Sequence, residues 1–433
     1  MNGRHGAAGR SSSWAGTPYR ITTLPNGLRV VSETVPGVRS VTVGVWFRTG
    51  SRDEPEAQAG IAHLLEHMAF KGTERRTARE LAEVVDRVGG QMNAYTSKED
   101  TSFYIRVLDE HFELGMEILA DMLLRSRFDA EELEKEKRVI LEEIKMYEDD
   151  PEDVVHDLAV QTLWPGHPLG RPVIGFEATV SAVERATLVD FWRHHYEPGR
   201  AVIAVAGHVE HARVVEAVQR DFGGWTPAGA PGRQEPPVPQ GVEAWRQKAI
   251  EQVHLCLVAP AAAYGSDELY AETVLSNILG GASSSRLFQV IREDHGLAYS
   301  VYTFHGGYSD TGLFGIYAAT SPETAPQVLE LIGRECRRIL QEGVSPDELA
   351  RTRDQIKANL LMGLESTGNR MNRLGRSLLM LDRVVTVDEV VRRVEAVTAD
   401  DVAQAAARLL DRDRWVLAGV GPAESMALRE CIP

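Results

Sequence analysis

Two stretches of the chain repeat each other without a gap. Val180, Ala182 and Val183 recur as Val394, Ala396 and Val397, and Arg200, Val202, Ala204 and Gly207 recur as Arg414, Val416, Ala418 and Gly421, every pair 214 residues apart. Glu131-Glu132-Leu133 with Ile140 returns as Asp347-Glu348-Leu349 with Ile356 at an offset of 216. The run Val41 to Phe47 returns as Val253 to Ala259 at an offset of 212. Three echoes in one register indicate an ancient duplication, and a duplicated chain folds as copies of one unit. Between the copies lies Thr226 to Gly241, rich in proline and glycine and without an apolar period, which reads as an exposed linker. The expected division is a leader over 1–18, a first domain over 19–225, a linker over 226–241 and a second domain over 242–433.

Each copy mixes strands and helices. In the first, Gly27 to Glu33, Val41 to Arg48, Gln91 to Thr96 and Thr101 to Val107 alternate as strands do, the last two flanking the turn Ser97 to Asp100. Gly60 to Lys71, Ala78 to Val88, Glu110 to Leu124 and Ala130 to Tyr147 carry helical spacing. Groups of strands between groups of helices predict an α+β fold: two homologous halves, each a mainly antiparallel sheet packed with helices, facing each other in a clamshell-like arrangement. The phosphate-cradling patterns GxGxxG and GxxxxGK[ST] are absent.

Charge and composition narrow the partners. The 47 basic and 63 acidic side chains give a net charge of −16, which argues against nucleic acid and suits basic or extended peptides. No apolar run is long enough for a membrane span. The three cysteines, Cys256, Cys336 and Cys431, are odd in number and far apart, which favours a reducing compartment over a disulfide framework. The first twenty residues lack an apolar core, so they read as a disordered leader and not as a secretory signal. A bacterial-type cytoplasmic location is expected, with the mitochondrial matrix as the alternative.

The chemistry is concentrated in Gly60-Ile-Ala-His-Leu-Leu-Glu-His-Met-Ala-Phe-Lys71. It contains H-x-x-E-H at His63, Glu66 and His67. Residues four apart share a helix face, so both imidazoles can turn to one metal ion with the Glu66 carboxylate beside them. Two histidines with a nearby carboxylate suit zinc and a metal-activated water, and the order is that of the inverzincins. Burial of the apolar remainder of this helix would also bury its polar face, and buried polar groups need partners. A third ligand is required, and the acidic stretch Glu131 to Lys145 offers Glu136, Glu142 and Glu143 without choosing among them. Val139, Ile140 and Ile144 suggest that this stretch is partly buried.

From about Tyr19 to the C-terminal region the chain resembles the pitrilysin-related zinc metallopeptidases, in particular mitochondrial processing peptidase and its short bacterial relatives. That family follows H-x-x-E-H about 76 residues later with a glutamate ligand, and counting from His67 reaches Glu143. The resemblance implies one Zn2+ held by His63, His67 and Glu143, with Glu66 as base and Glu136, seven residues before the ligand, as an active-site support. It implies two similar halves of which one keeps the metal. Here Asn359 stands opposite Glu143 at the offset of 216, and no H-x-x-E-H follows the linker. Arg292 and Tyr299 match the family's R-x6-Y element and are implied to hold substrate from across a chamber, where both are suited to donate to a carbonyl that gains charge. Asn93 and Ala94 match the strand on which the family pairs extended substrate. The implied activity is zinc-dependent endopeptidase cleavage of extended or unfolded peptides by a homodimer. The alternatives are a non-catalytic peptide-binding subunit and the catalytic subunit of a heterodimeric processing peptidase.

Overall fold

The computed structural model describes residues 19–227, 229 and 235–422; the leader and Cys431 lie outside these. The first half builds β1 (Tyr19–Thr23), β2 (Arg29–Thr34), β3 (Ser40–Phe47), β4 (Gln91–Thr96), β5 (Thr101–Leu108) and β6 (Ala201–Gly207). They form one sheet in the order β1-β2-β6-β3-β5-β4. The second half builds β7 (Glu243–Gln247), β8 (Val253–Ala261), β9 (Ala298–Gly307), β10 (Gly312–Thr320) and β11 (Val416–Gly421), ordered β7-β11-β8-β10-β9. Apart from β1 the two orders are the same. β2–β6 and β7–β11 run parallel and every other pair is antiparallel. The repeated residues Val202, Ala204 and Gly207 on β6 take the sheet positions of Val416, Ala418 and Gly421 on β11. The expected α+β class and duplication are therefore present, with β1 as an added edge strand.

Each sheet has two covered faces, and the second cover comes from the other half. One face of the first sheet packs on its own helices, among them Ile61–Ala69 and Phe112–Arg125. Its other face, with Val31, Trp46, Val202 and Ala204, packs on Met371, Leu374 and Leu378 of the helix Thr367–Leu381 from the second half. Reciprocally, the helix Pro151–Leu163 of the first half lays Val155, Ala159 and Leu163 on Cys256, Val258, Val416 and Ala418 of the second sheet. These two helices are themselves equivalent at the offset of 216. Glycine makes the close approach possible: a Cβ at Gly44 would sit 2.3 Å from Met371 Sδ, and one at Gly375 2.3 Å from Trp46 Nε1.

Buried ion pairs seal the exchange. Arg52 bonds Glu99 Oε1 at 2.7 Å and both carboxylate oxygens of Asp310, at 2.7 and 2.6 Å. Glu33, at the end of β2, accepts from Arg370 and Arg373 of the exchanged helix. Truncating one member of a buried charge cluster strands the others, which typically costs about 3–5 kcal/mol. Glu33→Ala is therefore expected to lower the urea midpoint strongly, since it leaves two arginines without this acceptor. A change below about 1 kcal/mol, the level of an exposed pair, would show that the cluster does not join the halves. Among the described residues no helix is long and apolar enough to cross a membrane.

Candidate metal centre

The helix Ile61–Ala69 starts abruptly. Gly60 has φ 94°, and a Cβ there would lie 2.6 Å from the carbonyl oxygen of Ile174, so the turn requires glycine. The first N–H groups of the helix are satisfied by Glu54, which accepts from Gly60 and Ala62 at 2.8 Å each. Burial pushes the Glu54 carboxyl up to about 8, against the pull of those two donors. Ile61, Leu64, Leu65 and Met68 anchor the helix in the first core. That leaves His63, Glu66 and His67 on the remaining face.

The helix Ala130–Asp149, capped by Asp129 on the Glu131 and Glu132 N–H groups, runs past that face. Glu143 Oε2 lies 3.9 Å from His63 Nε2 and 3.7 Å from His67 Nε2. One ligand atom from each of the three residues falls within 4.8 Å of the others. These separations are too long for hydrogen bonds. Tetrahedral zinc with bonds of about 2.0–2.1 Å would hold such atoms roughly 3.3 Å apart, so a small inward movement suffices and the donor set fits zinc. His63 is pushed down to about 4 by burial and by the neighbouring His67, which keeps it a neutral imidazole with the form a metal ligand needs.

Glu66 is held apart from this trio. Thr96, the last residue of β4, donates its hydroxyl to Glu66 Oε2 at 2.7 Å. Burial raises the Glu66 carboxyl, with the Thr96 bond opposing and the Glu143 charge reinforcing the shift. Glu136 is 6% exposed and reaches His67 Nδ1 at 3.2 Å and Lys71 Nζ at 2.7 Å. Burial would raise its carboxyl, but the bonds from His67 and Lys71 outweigh it and leave it below the ordinary range. Glu142, the remaining candidate, is 72% exposed and pairs with Lys145. Val139, taken from the sequence as buried, is 49% exposed; Ile140 carries the helix's burial instead, because one residue is about 100° around the helix.

The strand β4 bonds only β5 and is an edge. Ser97 N–H donates to Asp100 O at 2.7 Å, which marks a close pair. Antiparallel alternation then points the N–H and C=O of Thr96, Ala94 and Met92 outward. The edge therefore runs directly up to Glu66, although Ala94 N–H is taken by the Asn93 side chain at 2.9 Å. Arg292, in the helical segment Phe288–Asp294, and Tyr299, at the start of the edge strand β9, lie together elsewhere. The guanidinium stacks 4.3 Å from the Tyr299 ring centroid and 4.7 Å from that of Phe288, and donates to the Tyr299 carbonyl at 3.0 Å. Tyr299 is 79% exposed. Among the described residues, no hydrogen bond or ion pair joins Arg292 or Tyr299 to the histidine cluster.

Three neighbours of the cluster were not singled out from sequence. Lys71 is four residues beyond His67, a spacing that could have indicated it. Thr96 and Glu54 come from other elements, and no local spacing connects them to the motif.

The chain matches the Insulinase (Peptidase family M16) family over residues 29–177 and the Peptidase M16 inactive domain over residues 182–356. A Bacillus subtilis protein named uncharacterized zinc protease YmxG is 43% identical over 404 residues, covering 93% of this chain and 98% of the relative. An uncharacterized zinc protease of Streptomyces coelicolor is 43% identical over 412 residues, covering 93% and 89%. Among solved structures, a protease from Helicobacter pylori aligns with TM-score 0.86 at 22% identity over 93% of this chain and 99% of its own. A Pseudomonas fluorescens structure titled peptidase M16 inactive domain aligns with TM-score 0.89 at 20% identity over 95% and 100%. At these identities the two structures speak for the fold alone.

Proposed function

Because the chain belongs to peptidase family M16, the insulinase family, we propose that it is a zinc endopeptidase that cuts extended or unfolded peptides. The observation that carries this reading is the convergence of His63, His67 and Glu143 beside Glu66 at the end of an open strand edge. In this reading those three residues hold zinc, which when bound supplies Lewis acidity to a carbonyl and lowers the pKa of a water. An extended substrate adds to β4 through the outward groups of Met92 and Ala94, displacing the Asn93 side chain from the Ala94 N–H. Glu66, oriented by Thr96, takes a proton from the attacking water and returns it to the leaving amine. Arg292 and Tyr299, supplied by the second half of a partner copy, steady the carbonyl oxygen as it gains charge. Glu136 fixes His67.

The acidity of the chain has a local counterpart. A cleft that includes Ile144, the residue after Glu143, is lined by the acids Glu148, Asp153, Asp157 and Glu177 against the bases Lys145 and Arg246. Asp153 is raised by burial and then by the charges of Asp150, Asp157 and Glu152, a repulsion that a cationic guest would relieve. Substrates with a long basic side chain near the scissile bond are accordingly preferred. The test is cleavage of a peptide library and of one protein in folded and unfolded forms, with zinc removed and restored. Zinc-dependent cutting of unfolded chains, enriched near Lys or Arg and less so in Asp153→Asn, is expected. Equal cutting of the folded form, or cutting indifferent to zinc, would reject the reading.

A further inference from the structure

The metal reading leaves one charged group without a task. Lys71 follows the histidine helix, its N–H bonded to the Met68 carbonyl at 3.1 Å, and its ammonium sits 2.7 Å from Glu136 Oε1. The other oxygen of that carboxylate faces His67 Nδ1 at 3.2 Å. The same ring presents Nε2 toward Glu143. The three groups form a line from Lys71 through Glu136 to His67, ending at the candidate metal.

We propose that Lys71 is a positioning residue of this centre, holding Glu136 in the orientation that makes it the acceptor for His67 Nδ1–H and so directs the Nε2 lone pair to the metal. An ammonium has three donors and no acceptor, so Oε1 is an acceptor in this contact. With one oxygen pinned, the carboxylate cannot rotate away, and its second oxygen accepts from the imidazole. A neutral imidazole carries one N–H. With that hydrogen on Nδ1, Nε2 is free to ligate; with it on Nε2, the ring could not bind the metal from the side it presents. The outer partner of a ligating histidine commonly sets its tautomer and contributes ten- to hundredfold in metal affinity. Here the sequence supplies a partner for that partner. Glu136 belongs to the same helix as Glu143, two turns earlier, so the line also fixes how that helix meets the histidine helix.

This inference rests on the zinc reading, and the experiment separates the two. Zinc affinity is measured by competition with a chromogenic chelator on wild type, Lys71→Met, Lys71→Arg, Glu136→Gln, the double variant Lys71→Met/Glu136→Gln and His67→Ala. Metal-free unfolding midpoints are measured in parallel. Lys71→Met keeps the aliphatic stem and removes the donor. Its affinity is expected to fall about ten- to hundredfold, beyond what any fall in the metal-free midpoint accounts for, and Lys71→Arg to recover most of the loss. The double variant should bind no more weakly than the weaker single one, because both lesions break one line. Affinity in Lys71→Met within twofold of wild type would overturn the proposal. So would a loss that tracks the metal-free midpoint and is not recovered by arginine, which is the behaviour of a simple tie between helices. If wild type binds no zinc, or His67→Ala binds as tightly, the zinc reading itself fails and the proposal falls with it.

Discussion

Glu66→Gln is expected to lower peptide cleavage by about 10³-fold, within the 10²–10⁴-fold that a positioned general base contributes. The substitution is nearly isosteric. Its amide oxygen can still accept from the Thr96 hydroxyl, which bonds Oε2 at 2.7 Å in the native protein. Glu66 is also outside the trio whose ligand atoms converge, so the metal should stay. What disappears is the ability to take a proton. Activity within tenfold of wild type in steady-state cleavage of an unfolded substrate would remove Glu66 from the reaction.

The second large effect is all-or-none and concerns assembly. Among the described residues, the Arg292 guanidinium stacks on the Tyr299 and Phe288 rings, donates to the Tyr299 carbonyl and lies near Glu293, and none of these contacts reaches the histidine cluster. The two halves are fastened together by exchanged helices and buried charge clusters, so large movement of one half against the other would break Glu33 from Arg370 and Arg373. A composite site completed by a second chain avoids that cost. Glu66→Gln and Arg292→Ala/Tyr299→Phe are each expected to be nearly inactive. Co-expression under random pairing should restore about a quarter of wild-type activity, because half the dimers are mixed and each has one intact site. Mixed dimers isolated through two tags and no more active than either parent would eliminate the inter-chain site.

Legibility in the sequence differs from element to element. The duplication was readable because β6 and β11 bury the same residues at the same sheet positions, so selection on packing kept Val202/Val416 and Ala204/Ala418 alike. The histidine pair was readable because both residues sit on one helix, where spacing alone sets geometry. The proposed third ligand was not readable from local spacing, and only the family resemblance reached Glu143. Glu136, Glu142 and Glu143 differ only in which side of the helix they occupy, and that side is fixed by packing against Ile61–Ala69, a contact between segments some 70–80 residues apart. Exposed Glu142 and Val139 show how a rotation of one residue changes the outcome. The exchange of helices Pro151–Leu163 and Thr367–Leu381 had no local signal, because each reads as an ordinary amphipathic helix whatever sheet it covers. The Glu54 cap was equally silent, acting from six and eight residues away, outside the spacing of a capping box.

In the proposed zinc centre of His63, His67 and Glu143, Glu66 is a base and not a ligand. Zinc per chain, measured by plasma mass spectrometry on wild type, Glu143→Ala and Glu66→Gln purified alike, tests it most directly. About one zinc in wild type and in Glu66→Gln, with most of it lost in Glu143→Ala, is the predicted result. Full zinc in Glu143→Ala, or its loss in Glu66→Gln, would contradict the assignment.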